Sequence, residues 1–568
     1  MKTIYSILFL VFALSLSSCA DLDLYPLDTG SSDSWYKTEE EVKASIAGLY
    51  RAEFFPIDGD NWTDNHQSRD QLNDFTAATL NGETWEVKNR WQNAYKSIAR
   101  CNILLNKLAT PAEIGISEEK AELYRAQVLF VRATQYGILT SCYGDVVWVD
   151  SEISIDDAFT MGRTDREEIM EKVYADYDRA AAALPLSYGT QQELATKSAA
   201  LALKARYALY NEDWDIAAKA AKDCMDLGCN ELYPDFGELF LATTHHAKEN
   251  LLSWPYSLEL GIHTESEGYI QGVCPRTRGG YASQYPSWDL LASFLCNDGL
   301  PIDESPRFNP RKPFENRDPR CAYTIVEFGT QHCGVIYDPN PSVTEVFNSI
   351  SGKYVTNLDC KSGSQYASYN GLLQKKGVDE SFINNGSFKV AYDRVFVRYA
   401  EVLLTYAEAM IEQGKIDKSV LDAINMVRAR AYKVDYNNGA AYPKVMTTNR
   451  DELRSIVRVE RRMEFAYEGL RRMDIIRWRI ADKVLNTPDY GLLDKDALMS
   501  KLVDKNLWFW PETPQIDENG TPDFSSIYNQ GLCRIVTRRQ FDASKNYLWP
   551  IPSQEVITNP YLGQNDNY

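Results

Sequence analysis

The segment 398–412 alternates polar and apolar residues with the period of an amphipathic helix. Its polar positions are Arg398, Glu401, Thr405, Glu408 and Glu412, and its apolar positions are Tyr399, Leu403, Tyr406 and Met410. A second stretch of the same period follows at 420–431, after Gly414. The two stretches predict a helical hairpin of the kind found in repeat proteins. We expect its apolar face to be buried and its glutamates to face water or cationic partners.

A charge-rich helix is predicted after this hairpin. Asn449 and Glu452 have the spacing of a capping box, which marks the start of a helix. The acidic residues that follow are Glu460, Glu464 and Glu468, and the interleaved basic residues are Arg461, Arg462, Arg471 and Arg472. We interpret this segment as an ion-paired helix rather than a catalytic carboxylate cluster, with exposed pairs that contribute little stability.

Helical periodicity also dominates the first half of the chain. Further helices are predicted at 39–50, 86–108, 118–140, 164–184 and 193–210. The alanine-rich segment after Asp213 has the small residues with which tetratricopeptide-like helices pack. Because such hairpins cannot bury their apolar faces alone, they must stack. The sequence therefore predicts a mainly α fold with a tetratricopeptide-like scaffold of helical hairpins.

Irregular segments interrupt this pattern in three places. Residues 55–85 are rich in Asp, Asn and Thr, and we interpret them as a long ordered loop. Residues 251–390 form a large loop-rich insert, and the tail 480–568 contains prolines that block long helices. Since no Pro/Gly/Ser-rich linker divides the chain, we expect one compact body. Loops on a rigid scaffold are where binding residues concentrate.

The N-terminus has the features of a lipoprotein signal. Residues 1–18 combine Lys2 with a short apolar core, which is the pattern of a signal peptide. Leu16-Ser17-Ser18-Cys19 forms a lipobox, in which the Cys19 thiol would take the lipid. We expect residues 19–40 to be the lipid anchor and tether. An ordinary signal peptide with a coincidental cysteine is the alternative.

Composition and missing motifs exclude several classes of function. The net charge of −20 disfavours nucleic acid and anionic lipid as partners, because both would be repelled. Acidic polysaccharides are also less favoured as bulk ligands, although a local basic cleft could take one. No zinc-protease, nucleophile-elbow, Walker or dinucleotide motif occurs in the sequence, so an enzyme is not expected.

Metals and disulfides are not strongly indicated either. No cofactor is expected, and the Asp58-Gly59-Asp60-Asn61 cluster is interpreted as a solvated acidic turn. Structural calcium is the alternative there, although the calcium-loop pattern is absent. Ten cysteines follow Cys19, and we favour buried free thiols over disulfides for most of them.

Two loop stretches carry the residue types of a sugar site. Flat aromatic rings bury the C–H faces of sugars, while Arg, Asn and Asp bind the hydroxyl groups. The candidates in the first stretch are Trp62, Arg69, Asp70, Asn73 and Trp85, and those in the second are Arg276, Arg278, Tyr281, Tyr285 and Trp288. We expect the two loops to meet on one face. The alternative is that these aromatics fill the junction between loops and helices, and for Trp288 a core position is favoured.

Several ordered motifs give the chain a family resemblance. They are Arg100-Cys101-Asn102-Ile103-Leu104, Arg125 to Ala133 with Tyr143-Gly144-Asp145, Asp298-Gly299-Leu300-Pro301-Ile302, Asn316-Arg317-Asp318-Pro319-Arg320, and Leu548-Trp549-Pro550-Ile551-Pro552 with Asn559-Pro560 and Gln564-Asn565. Together with the segment 398–478, they resemble the SusD/RagB family of surface nutrient-binding lipoproteins. The resemblance implies an N-terminal SusD-like helical region at 41–250 and a C-terminal hallmark region at 391–568.

The same resemblance implies a function. A SusD-like protein is anchored by lipid to the outer membrane, captures an oligosaccharide or polysaccharide at the cell surface, and passes it to a TonB-dependent, SusC-like transporter. Two alternatives remain. A RagB-like member would capture peptide or protein in a deep cavity without an aromatic platform. A helical-repeat assembly scaffold would have an exposed groove and no small ligand.

Overall fold

The computed structural model describes residues 35–69, 71–189, 194–262, 266–383 and 388–568. The signal peptide predicted at 1–18, Cys19 and Asp70 lie outside these residues. Within the described ranges, no helix is long and apolar enough to span a membrane.

The helices and strands occur in the following order. The helices are α1 (Glu39–Ala47), α2 (Trp85–Lys107), α3 (Pro111–Ile114), α4 (Glu118–Tyr143), α5 (Ile155–Ala158), α6 (Arg166–Ala183), α7 (Lys197–Tyr210), α8 (Trp214–Asp226), α9 (Glu267–Val273), α10 (Trp288–Ser293), α11 (Arg320–Thr324), α12 (Glu380–Ile383), α13 (Tyr399–Glu412), α14 (Lys418–Ala431), α15 (Arg450–Phe465), α16 (Arg471–Arg477), α17 (Ala481–Val484), α18 (Lys495–Leu498), α19 (Ser525–Asn529) and α20 (Ser553–Thr558). The strands are β1 (His66–Gln67), β2 (Asn250–Trp254), β3 (Tyr285–Pro286), β4 (Thr330–His332), β5 (Val335–Tyr337), β6 (Glu345–Asn348), β7 (Lys353–Thr356), β8 (Arg394–Arg398), β9 (Pro488–Gly491), β10 (Gln515–Ile516), β11 (Pro522–Asp523) and β12 (Arg534–Arg538).

Side-chain caps fix where several of the helices begin. Thr38 forms a complete capping box with Glu41 at the start of α1. Asp417 accepts the first backbone N–H groups of α14. Asn449 does the same for α15, which confirms the start predicted for the charge-rich helix.

The long helices form one continuous scaffold, as the sequence predicts. Along this row α2 packs on α4, α4 on α6, α6 on α7 and α7 on α8. Helix α8 then packs on α13, which contacts α14 and α15. The apolar faces merge into a single core that includes the fully buried Leu403 and the buried Tyr406. The mainly α fold is therefore confirmed.

The loop-rich insert leaves the scaffold and returns to it at one place. Strands β2 and β8 pair antiparallel, with Asn250 opposite Arg398 and Trp254 opposite Arg394. The insert and the tail share a second core around Trp288, Phe509 and Trp510. Strands β4 to β7 form a four-stranded antiparallel meander that the sequence interpretation missed. Its strands are only three or four residues long and partly exposed, so they show little alternation of apolar and polar residues.

The charged residues of the C-terminal region form a buried network. Arg398 donates to Glu249 and Glu464 at 2.7 Å each and to Glu468 at 2.6 Å. Burial alone would raise the pKa of Glu464, but Arg430, Arg398 and Arg320 hold it well below its usual value. The expectation of exposed pairs is wrong, because α15 and α16 lie between the helical scaffold and the insert.

The glutamates of α13 also face cationic partners inside the protein. Glu401 accepts from Arg206 at 2.6 Å, and Glu408 accepts from Arg477 at 2.7 Å. Both carboxylates are almost fully buried, which confirms the cationic alternative for this face. The ten cysteines after Cys19 are free, and most are buried, as the sequence analysis favours.

Candidate functional site

A short strand pairing brings the two candidate loops together. Strand β1 pairs antiparallel with β3, so that His66 lies opposite Pro286 and Gln67 opposite Tyr285. The Ser287 amide donates to the Asn65 carbonyl at 2.9 Å and extends this contact. The loops therefore meet on one face, as expected from the sequence.

A cleft opens beside this strand pair. Its volume is about 660 Å³. Arg69 and Gln71 line it from the first loop, and Ser283 and Gln284 line it from the second. Lys376 also lines the cleft and is bound to Glu468. The wall is thus polar, with groups that can donate to or accept from hydroxyl groups.

Two exposed tyrosines belong to segments that contact the wall of the cleft. Tyr281 is 49% exposed and Tyr366 is 51% exposed. Arg276 links them, because it donates to the Tyr281 carbonyl at 3.1 Å and its Cζ lies 5.3 Å from the centroid of the Tyr366 ring. Arg69, on the cleft wall, donates to the Tyr366 carbonyl at 2.8 Å. These contacts fix the backbone on either side of an accessible aromatic surface.

Three cations surround the ring of Tyr369, three residues after Tyr366. The Nζ atom of Lys361 lies 4.2 Å from its centroid, and the Cζ atoms of Arg69 and Arg534 lie at 5.4 Å and 5.3 Å. Burial, with Arg534 and Arg69 nearby, lowers the pKa of Lys361 to about 8. We call the following residues the rim cluster: Arg69, Arg276, Tyr281, Tyr285, Lys361, Tyr366, Tyr369 and Arg534.

Four residues of the rim cluster come from the sequence candidates, and they have different roles. Tyr281 presents its ring to solvent, whereas Tyr285 is fully buried. The Tyr285 hydroxyl accepts two hydrogen bonds from Arg69, at 2.6 and 3.1 Å. Tyr285 therefore positions Arg69 and is not itself a stacking surface. Arg69 and Arg276 keep guanidinium groups at the edge of the aromatic surface.

Two of the three candidate tryptophans, Trp62 and Trp288, lie in the core, which corrects the expectation for Trp62 and agrees with the core position favoured for Trp288. Trp62 is 8% exposed and packs against Phe75 and Trp549, with ring centroids 5.4 and 5.3 Å apart. Trp288 is 3% exposed, and its Nε1 donates to the Asn370 carbonyl. A ring enclosed on both faces cannot stack on a sugar, so these two residues stabilise the loops that carry the site.

The remaining candidates lie apart from the exposed rings or serve the backbone. Trp85 is 67% exposed at the start of α2, and within the described residues no hydrogen bond or ring contact joins it to the rim cluster. Asn73 caps the amides of Phe75 and Thr76. Arg278 donates to the Ile383 carbonyl at 3.1 Å.

Sequence reasoning missed four members of the rim cluster. Lys361, Tyr366 and Tyr369 lie in the segment Lys361-Ser362-Gly363-Ser364-Gln365-Tyr366-Ala367-Ser368-Tyr369, which has the same mixture of Gly, Ser and Tyr as the Tyr281 loop. That shared composition is the sequence feature from which these three residues could have been predicted. Arg534 belongs to β12 in the tail, and nothing in the sequence connects it to Arg69.

The acidic cluster at Asp58 and Asp60 is built into the interior. The Asp58 carboxylate accepts from Arg90 and Arg472. Asp60 accepts from the Tyr467 amide at 2.8 Å, and burial raises its pKa to about 6. The interpretation as a solvated turn is therefore wrong. Among the described residues no His, Cys, Asp or Glu group is arranged to hold a metal ion, and calcium stays a prediction.

A second cavity, of about 700 Å³, lies between the helix ends and the tail. Carboxylates accompany its cations: the acids are Asp145, Glu167, Glu212 and Asp566, and the bases are Arg163, Arg166, Arg477, Arg479 and Lys545. Its aromatic residues, Tyr210 and Tyr547, are buried or partly buried. The first cleft is also lined by carboxylates, namely Asp58, Asp60, Asp393 and Glu468. It has the better features of a ligand site because exposed rings are linked to its wall through Arg69, which pairs with no carboxylate among the described residues.

Comparison with known proteins agrees with this architecture. A model described as the SusD family matches residues 253–568, and one described as starch-binding and associating with the outer membrane matches residues 32–209. A solved SusD-like carbohydrate-binding protein from Bacteroides fragilis is 29% identical, with a TM-score of 0.74, over 93% of this chain and 99% of that one.

Two curated relatives extend over nearly the whole chain. SusD-like protein P2 of Formosa agariphila is 25% identical over 99% of both chains. A SusD-like protein of Bacteroides ovatus is 22% identical over 97% of this chain and 96% of its own length. Because the first family model covers more than half of the sequence, this chain belongs to the SusD family.

Proposed function

We propose that this protein binds glycans at the cell surface and that the rim cluster is its binding surface. The observation that carries the proposal is the pair of exposed rings, Tyr281 and Tyr366, held beside a polar cleft by Arg69 and Arg276. Aromatic faces bury the C–H faces of sugar rings, and the guanidinium groups can donate to hydroxyl oxygens. The name of the Bacteroides fragilis relative, a carbohydrate-binding protein, supports the same class of ligand.

The work at this surface is binding without chemical conversion. Selectivity then depends on the shape of the aromatic surface and on the polar groups of the cleft. We further propose that lipidated Cys19 anchors the protein to the outer membrane and that the captured glycan passes to a TonB-dependent, SusC-like transporter. The family-model description that mentions association with the outer membrane supports this location.

The anchor can be tested separately from the ligand. Cys19→Ala removes the acceptor for the lipid, so the variant should leave the outer-membrane fraction or remain unprocessed. If it still fractionates with the outer membrane, the proposed anchor is wrong. This outcome would not affect the proposed glycan site, which contains none of the N-terminal residues.

Of the two alternatives, peptide capture and assembly scaffold, neither needs exposed aromatic rings. A peptide-binding member would rely on a deep cavity, and a scaffold would rely on a groove along the helices. The exposed rings of Tyr281 and Tyr366 therefore favour a glycan over both.

The direct test is binding of the soluble protein, from residue 20 onward, to a panel of neutral and charged polysaccharides. Alanine at both Tyr281 and Tyr366 should weaken binding by about 1–3 kcal/mol per ring, the range for burial of an apolar side chain. Tyr561→Ala is the matched control, because this ring is 68% exposed in the C-terminal tail. No binding to any member of the panel, or unaltered affinity in the double variant, would contradict the proposed function.

A further inference from the structure

The rim cluster holds more positive charge than its surroundings neutralise. Arg534 donates to Asp494 at 2.9 Å, and the Asp494 side chain is 83% exposed. Among the described residues, Arg69, Arg276 and Lys361 form no ion pair with a carboxylate. Within the described part of the chain, Lys361 donates to the Ala367 carbonyl at 3.2 Å, and Arg69 donates to a carbonyl and a tyrosine hydroxyl.

A second acid near this surface, Asp359, is already engaged. Asp359 is buried and accepts the backbone N–H groups of Arg276 and Thr277, at 2.7 and 3.1 Å. It therefore holds the turn at residues 276–278 in place and does not bind the side chain of a rim cation. Among the described residues, the four cations Arg69, Arg276, Lys361 and Arg534 thus contact one exposed carboxylate, that of Asp494.

From this arrangement we propose that the rim cluster binds an anionic group of a glycan, either a sulfate ester or the carboxylate of a uronic acid. This inference rests on the proposed glycan-binding function and narrows its substrate class. The exposed tyrosine rings would contact the sugar, while Arg69, Lys361 and Arg534 would bind the acidic substituent. Guanidinium groups suit both anions, since their planar fork can donate two parallel hydrogen bonds to a pair of oxygens.

Physical reasons favour this inference over a structural role for the cations. Like charges around one ring repel, and an incoming anion relieves that repulsion. The cluster is not a by-product of composition either, because the whole chain has a net charge of −20. That overall charge repels polyanions from the rest of the surface, so binding of an anionic glycan requires a local site of opposite sign.

The experiment uses one polysaccharide backbone in three forms: dextran, dextran sulfate and carboxymethyl-dextran. Natural glycans complete the set: laminarin and agarose as neutral forms, carrageenan as a sulfated one and polygalacturonate as a uronate. At moderate salt, the charged forms should bind at least about tenfold more tightly than neutral ones, as expected for one charge-assisted hydrogen-bonded contact. Two comparisons, of dextran sulfate with carboxymethyl-dextran and of carrageenan with polygalacturonate, show whether the site binds a sulfate ester or a carboxylate more tightly.

Variants then assign any preference to the rim cluster. Lys361→Gln combined with Arg534→Gln should lower affinity for the charged glycans by about tenfold or more, and by clearly less for the neutral glycans, which lose no ionic contact. Lys361→Arg keeps the charge and should retain binding. The matched control is Lys219→Gln combined with Arg179→Gln, which removes two exposed cations from the helical scaffold. Unchanged thermal midpoints would show that all three proteins are folded.

Each outcome decides between the two proposals. Equal or tighter binding of the neutral forms would overturn the anionic inference and leave the glycan-binding function standing. If the rim variant and the control variant weaken binding of the charged forms equally, the anionic inference would also be overturned, because the attraction would then be non-specific. No binding to any glycan, neutral or charged, would overturn the proposed function and this inference with it.

Discussion

Arginines are held in opposite ways in the buried C-terminal network and in the rim cluster. In the network, Arg398 contacts three carboxylates, and Arg320 contacts Asp318, Glu460 and Glu464. In the rim cluster, Arg69 contacts a hydroxyl, a carbonyl and two aromatic rings, with no carboxylate among the described residues.

This difference in carboxylate partners helps to distinguish cations that stabilise the fold from cations that face a ligand. A guanidinium taken out of water must have its donors satisfied, by carboxylates as in this network or by backbone carbonyls as at the buried Arg317, since desolvation of an isolated charge is too costly. A partly exposed guanidinium keeps some hydration and can remain without such a partner until an anion arrives. Exposure and the number of carboxylate partners, taken together, are thus more informative than the residue type.

The largest effect is expected in the buried network, from Glu464→Gln. The change leaves Arg320, Arg398 and Arg430 without their shared carboxylate, so it should lower the free energy of unfolding by about 3–5 kcal/mol. Urea denaturation measures this change. Asp223→Asn, which removes an exposed partner of Lys219, should cost less than about 1 kcal/mol. Similar losses in both variants would remove the distinction between buried and exposed pairs.

The second-largest loss of stability is expected from an apolar core residue of the scaffold, and it tests packing independently of ion pairs. Leu403 is fully buried in α13, and Leu403→Ala should destabilise the protein by about 2–5 kcal/mol, since a cavity remains. Leu260→Ala is the control, because that side chain is 77% exposed and should change stability by less than about 0.5 kcal/mol. Both folded variants should retain wild-type affinity for glycans. A loss of affinity in folded Leu403→Ala would tie binding to the scaffold instead of the rim.

The smallest effect concerns pH at the rim cluster. Burial, Arg534 and Arg69 lower the pKa of Lys361 to about 8, while Asp494 opposes them. The lysine is mostly charged at pH 7 and loses its proton as the pH rises through 8. If the glycan-bound lysine stays charged, affinity for an anionic glycan should fall by about tenfold between pH 7 and 9. Calorimetric titration at the two pH values measures the change.

The control for this pH dependence is Lys361→Arg. Arginine keeps its charge throughout the range, so affinity should vary little between pH 7 and 9. The same decline in Lys361→Arg and in the wild type would place the titrating group elsewhere.

Much of the scaffold is predictable from sequence because its helices are long and periodic. The stretch predicted at 86–108 forms α2 at Trp85–Lys107, and the start predicted from Asn449 is capped as expected. The short strands β4 to β7 were missed, because three or four residues show no reliable period.

The site is only half predictable, for a physical reason. A tryptophan in a loop has the same sequence signature whether it faces solvent or the core, so Trp62 could not be separated from Tyr281, whereas Trp288 directly precedes a helix-like stretch of sequence, which favours a core position. Lys361 and Arg534 meet at one ring although they are far apart in the chain. No local pattern encodes that meeting, which depends on β12 pairing with β9 and on the Tyr369 carbonyl accepting from the Leu492 amide.

The most direct test of the account is a crystal structure of the protein with an oligosaccharide derived from the tightest-binding glycan of the panel. We expect a sugar ring against Tyr281 or Tyr366, and an oxygen of the ligand within hydrogen-bonding distance of Arg69, Lys361 or Arg534. A ligand bound in the cavity between the helix ends and the tail, or along the helical scaffold, with the rim cluster empty, would contradict it.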